Sequence, residues 1–246
     1  MRSILLPILG LALCACAHDS KVMTVRHFGA ISDQPLGEVA HLTNDDGAIL
    51  KHGSVRSWHD NGKLAAVVNY DNGVPDGTWS EWFDNGQIAA QGAYTNGRPT
   101  GTWTEWYKSG GKRAECVYIA GRLDGPYMEW GYDGSQTLLA AYKRGQPDGW
   151  WMSWWGNGNK RLEGRYFRGK AHGRWTNWHA NGNKAGEGTY DDGDRDGLWV
   201  LWEASGELLG NARFRDDRPA GRLEIASDAT DGLSPDEMFD FDFDVH

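Results

Sequence analysis

Eight glycines, Gly53, Gly77, Gly101, Gly125, Gly149, Gly173, Gly197 and Gly221, follow one another at intervals of 24 residues without an insertion. A fixed period of this length means that one small supersecondary unit is built again and again, each copy burying its apolar face against the next. Further positions keep step with the glycine. The sixth residue is always tryptophan, from Trp58 through Trp82, Trp106, Trp130, Trp154 and Trp178 to Trp202. The third residue is Val55, Trp79, Trp103, Tyr127, Trp151, Trp175 or Trp199, and the eighteenth is Tyr70, Tyr94, Tyr118, Tyr142, Tyr166, Tyr190 or Phe214. A second glycine, Gly62 to Gly206, comes nine residues after the first.

The unit reads as a β-hairpin. Asn61-Gly62, Asn85-Gly86, Asn157-Gly158 and Asn181-Gly182 predict type I′ turns, because both central residues of that turn need positive φ. A second, longer turn over residues 71–77 and its equivalents hands the chain to the next hairpin. With a two-residue hairpin turn, the third position lies opposite the sixteenth. That position is Val68, Gly92, Cys116, Ala140, Gly164, Gly188 or Ala212, nearly always small. An indole can lie over such a neighbour with the following tyrosine beside it. The sixth-position tryptophan faces the other side unless a bulge turns it back. The expected fold is therefore all-β, an elongated single-sheet array of stacked antiparallel hairpins. Each repeat should advance the array by roughly 10 Å, two strand spacings.

The pattern resembles the MORN repeat family, in its bacterial variant with units reading G-x-W-x-x-W/Y-x-x-x-G. The resemblance covers residues 53–220, seven full copies. It implies a non-enzymatic binding scaffold, with no catalytic residues and no cofactor to carry over. Relatives of this kind include lipoproteins and antitoxin-like proteins.

Outside the repeats the chain changes character. MRSILLPILGLALCAC has the form of an export signal, too short to span a bilayer, and Ala15-Cys16 matches the end of a lipoprotein signal. Residues 1–15 are thus expected to be removed and Cys16 lipidated, placing the protein in a bacterial cell envelope on a membrane anchor. Only Cys116 then remains as a thiol, so the body has no disulfide to hold it. Residues 16–52 are a linker with a partial lead-in hairpin. The net charge of −9 is unevenly spread: residues 53–220 hold 20 Lys+Arg against 21 Asp+Glu, residues 221–246 one against eight. The body lacks the basic footprint of a nucleic-acid binder. The tail, with its FDFDFD run, has no glycine register and reads as a partial strand followed by disorder.

Within the register, repeat 149–172 is unusual. Trp150 and Trp155 exceed what the pattern requires, and five Lys+Arg stand against one Glu. Trp150, Trp155, Arg165 and Arg168 form the candidate binding patch, through aromatic faces and cations together. A second motif, Asp192-Gly-Asp194-Arg-Asp196-Gly with Glu203 beyond, satisfies a calcium-loop spacing. It lacks flanking helical periodicity, and its glycines and aspartates are those of a repeat turn. His52, His59, His172 and His179 fall at turns or strand ends, and Cys116 occupies the small-residue position. These features predict an anchored scaffold that binds a protein partner. Neutralisation of a toxin, or glycan binding on the tryptophans, are the alternatives.

Overall fold

The computed structural model describes residues 22–28, 35–44, 46–221 and 224–225. Every helix or strand among them is a strand, and every pairing is antiparallel. The chain divides into two compact units, Met1–Arg122 and Leu123–His246. The first holds β1 (Val22–Phe28), β2 (Pro35–Thr43), β3 (Ile49–Lys51), β4 (Gly53–Trp58), β5 (Leu64–Asp71), β6 (Val74–Trp82), β7 (Ile88–Thr95), β8 (Arg98–Trp106) and β9 (Lys112–Ile119). The lead-in stretch supplies β1 to β3; β2 pairs with β1 and β3, and also with β4 of the first repeat. The second unit holds β10 (Arg122–Trp130), β11 (Gln136–Lys143), β12 (Gln146–Trp154), β13 (Lys160–Phe167), β14 (Lys170–Trp178), β15 (Lys184–Asp191), β16 (Asp194–Trp202), β17 (Leu208–Arg215), β18 (Arg218–Pro219) and β19 (Glu224–Ile225). In it each strand from β10 to β17 pairs with the next, and β18 and β19 close on β17.

The two turns of the repeat exchange the roles that the sequence suggests. None of Asn61, Asn85, Asn157 and Asn181 has positive φ; only the glycine after each does. At the first of these turns Gly62 N–H donates to the His59 carbonyl and His59 N–H to the Lys63 carbonyl, both at 2.8 Å. That is a three-residue loop closed by a left-handed glycine, not a type I′ turn. The type I′ turns stand at the other end. Asn72-Gly73, Asn96-Gly97, Arg144-Gly145, Arg168-Gly169 and Asp192-Gly193 have positive φ at both residues, and the strand resumes at once. The expected long turn over 71–77 is therefore two residues. Glycine 77, whose φ is 100°, sits in a bulge of β6 instead.

The asparagines have a different job. Asn61 Nδ2 donates to the Asp84 carbonyl (2.7 Å), Asn85 to Lys108 (3.0 Å), Asn157 to Ala180 and Asn181 to Ala204 (2.5 Å each). Each side chain ties its turn to the turn of the following repeat. At the opposite end Gly97, Gly145, Gly169 and Gly193 donate their backbone N–H to a carbonyl of the preceding repeat at 2.7–3.0 Å, and Gly73 donates to Lys51 of the lead-in at 2.7 Å. These bonds link exposed turns of neighbouring repeats at both edges of the sheet.

The third position does lie opposite the sixteenth, from Val55↔Val68 to Trp199↔Ala212. The indole also leans back over the repeat before it. A Cβ built on Gly164 would fall 2.0 Å from the Trp175 ring, and one on Gly188 would fall 2.0 Å from Trp199. Trp175 and Trp199 are each 1% exposed. Their indole N–H groups donate at 3.2 Å to the carbonyls of Arg165 and Thr189. In the second unit the rings of Tyr142, Trp151, Tyr166, Trp175, Tyr190, Trp199 and Phe214 follow one another edge to face, centroids 4.9–6.5 Å apart. Such pairs add to the area they bury. In the first unit Trp103 stacks on Trp79 and meets Tyr94 and Tyr118 edge-on.

The sixth-position tryptophans face away from this ladder. The pairing slips by one residue beside each of them, but the extra residue is on the returning strand: Ser57 opposes Ala66, Trp58 opposes Leu64, and Ala65 is bulged. The tryptophan thus keeps the alternation of its own strand. Lys184 makes the facing visible, since it reaches Glu187 at 2.6 Å and lies over the Trp202 ring.

Candidate functional site

Strand alternation puts Trp150 and Met152 on the face away from the ladder, because Trp151 between them is in the buried core. Arg165 is the direct cross-strand partner of Trp150, and its guanidinium carbon lies 3.9 Å above the indole centroid. Two residues on, Phe167 shares that face, and Arg168 from the adjoining turn sits 4.9 Å over its ring. Both rings are open to solvent, Trp150 at 43% and Phe167 at 52% exposure. Arg161, Arg165 and Arg168 form no ion pair with a described carboxylate. Glu163, the one acid of the repeat, is taken by Lys160. In the next repeat Ala185, Thr189 and Asp192 stand at those three places, and the cations Arg174 and Lys184 both engage Glu187. Burial works against ionisation of Glu187, yet these two hydrogen-bonded cations hold its carboxyl below the usual range.

The same face carries an apolar row beside the arginines. Met128 opposes Leu139, and Leu139 opposes Met152, across β10, β11 and β12. All three are half-buried, and among the described residues of this unit no helix or second sheet packs over them. The composition of repeat 149–172 points to Trp150, but this row escapes a motif search. Its signal is positional: methionine replaces the Arg, Ser, Thr or Val of other copies at the fourth place, and leucine replaces Val, Gln, Glu or Asn at the fifteenth.

Trp155 belongs elsewhere. It lies at the hairpin turn, five residues and roughly 16 Å of extended strand from Trp150. Its Nε1 donates to the Trp178 carbonyl at 2.9 Å, with Arg161 over its ring at 5.1 Å. His59 Nε2 reaches the Trp82 carbonyl at 2.8 Å and His179 the Trp202 carbonyl at 2.9 Å, from the same place in their own repeats. Trp155 is thus a clasp between neighbouring repeats. His59 and His179 are clasps too, rather than solvated turn residues.

The four candidate calcium ligands are spread along a strand. Asp192 and Gly193 form the type I′ turn, and Asp192 accepts from Lys170 at 2.6 Å. Asp194 and Asp196 lie in β16, paired with Asp191 and Thr189. Glu203 is at the far end of that strand, about 30 Å from Asp194 at the rise of extended chain. No three His, Cys, Asp or Glu among the described residues gather as a metal site. Cys116 packs opposite Trp103, where burial pushes its thiol up despite a hydrogen bond with Tyr118. Cys16 and residues 226–246 lie outside the described residues.

Three segments, residues 51–72, 75–96 and 171–192, match the MORN repeat variant. No curated protein matches the chain. The chain therefore carries repeats similar to the MORN variant on an all-β scaffold of antiparallel hairpins.

Proposed function

We propose that the protein is a binding scaffold without catalytic activity, anchored through a lipid on Cys16 in a bacterial cell envelope, and that it holds a protein partner on the face away from the aromatic ladder. The observation that carries this reading is the set of arginines in repeat 149–172 that lie on exposed rings with no described acid to neutralise them, beside the Met128–Leu139–Met152 row. Exposed aromatics and arginines are the residue types that dominate protein interfaces. A glycan fits this surface less well, because the guanidinium of Arg165 covers the Trp150 ring face on which a sugar would stack.

The test is affinity capture from envelope extracts with the intact protein and with Arg165→Gln/Arg168→Gln. One protein enriched by the first and lost with the second, at unchanged melting temperature, supports the reading. Equal capture by both chains, or enrichment of sugar polymer, contradicts it.

A further inference from the structure

The cationic aromatic face has an acidic aromatic counterpart in the same chain. Residues 226–246 carry seven Asp+Glu and no Lys or Arg, and Phe239, Phe241 and Phe243 alternate with Asp240, Asp242 and Asp244. Alternation of period two gives an extended segment one apolar edge and one acidic edge. The surface offers both chemistries close together: the Met128–Leu139–Met152 row crosses β10 to β12 and ends opposite Glu163, which Lys160 neutralises, while Arg165 stands one same-face step further along β13 with Arg168 in the turn beyond.

The connection is long enough. Ile225 pairs with Gly210 on β17, so it stands five strand spacings from β13 and six from β12, about 24 to 29 Å across the sheet. The 14 residues from Ile225 to Phe239 can span up to about 46 Å. A segment tethered this closely competes at an effective concentration that a free partner seldom reaches.

We propose that residues 239–244 dock in cis on this face, with the phenylalanines against the Met128–Leu139–Met152 row and the aspartates on Arg165 and Arg168. The proposal rests on the reading of this face as the partner surface, and it makes the tail a built-in competitor: a partner must displace it, and one of similar acidic and aromatic character is the kind that can.

Tryptophan labelled with nitrogen-15 reports this in the full chain, the Trp150 indole signal being assigned by its loss in Trp150→Thr. Replacing Asp240, Asp242 and Asp244 together by Asn is expected to shift the Trp150 signal and leave those of Trp79 and Trp103 in place. Arg165→Gln should release the tail as well, so adding the three Asn changes to it should shift no further indole signal. Salt of about 0.5 M should move the native Trp150 signal part of the way, since the attraction is between largely exposed charges. A Trp150 signal indifferent to the three Asn changes overturns the proposal. So does a shift that depends on protein concentration, which would put a second copy on the face. The Asn-substituted tail should also raise partner capture several-fold. An indifferent Trp150 signal alongside capture that still fails in Arg165→Gln/Arg168→Gln would sink the tail and keep the partner surface.

Discussion

A glycine under an indole is where single atoms decide the packing. Gly164 and Gly188 have no room for a methyl group, with ring carbons 2.0 Å from where it would stand. Gly188→Ala should therefore push Trp199 off its seat and cost roughly 1–3 kcal/mol, as overpacking does. Ala140, which lies opposite Trp151, shows how a repeat adapts: that tryptophan is 6% exposed against 1% for Trp175 and Trp199. A urea titration of Gly188→Ala within error of the unmodified chain would mean that the close approach is not what sets the packing. The type I′ turns hold the opposite case. Arg144 has φ of 52°, a conformation that asparagine adopts more readily than arginine. Arg144→Asn should raise stability by up to about 1 kcal/mol, seen as a higher urea midpoint at unchanged slope.

In the second unit Trp151, Trp175 and Trp199 are buried while Trp154, Trp178 and Trp202 are only half-buried, so the two tryptophans of such a repeat are not equivalent. Trp175 is closed off, whereas Trp106 is only half-buried. Trp175→Ala should cost about 3–5 kcal/mol in a denaturant titration, and Trp106→Ala clearly less. Trp58, in the first repeat, should cost less still, because a terminal repeat has one repeat neighbour instead of two. Equal losses at all three positions would contradict the division into a buried ladder and a partly open second face. At this scale the hairpin, its pairing of third with sixteenth position and its small-under-large packing were legible in the 24-residue spacing. The turn types were not. Asn-Gly carries two meanings, left-handed backbone or a side chain that bonds outward, and the second depends on a neighbouring turn that the local sequence does not display. The role of Trp155 escapes the sequence for the same reason. Its indole serves the Trp178 carbonyl 23 residues on, and that contact exists only once the repeats are stacked. The Trp150–Arg165 pair could be read as composition, while the apolar row beside it needed strand alternation to be placed on one face.

The chain as a whole is a scaffold of nearly interchangeable units on which one unit has been made different. Anchoring belongs to this scale, and mass spectrometry of the mature N-terminus should find a lipid on Cys16; an unmodified start at another residue would remove the anchor from the proposal. The central structural claim is that the 24-residue hairpin is the unit of folding, because register, ladder and turn bonds all repeat with it. Removing residues 173–196 takes out β15 and joins the start of β14, Lys170 to His172, to β16 at Gly197, which then stands in the place of Gly173. Removing residues 173–184 joins that same start of β14 to β15 at Ala185, so β15 would have to continue it without the tryptophans that the place requires. The direct measurement is thermal melting of both deletions followed by circular dichroism. The 24-residue deletion should melt cooperatively with a midpoint near that of the intact chain, and the 12-residue deletion should melt far lower or without cooperativity. Equal melting of the two would show that the hairpin is not the unit from which this protein is built.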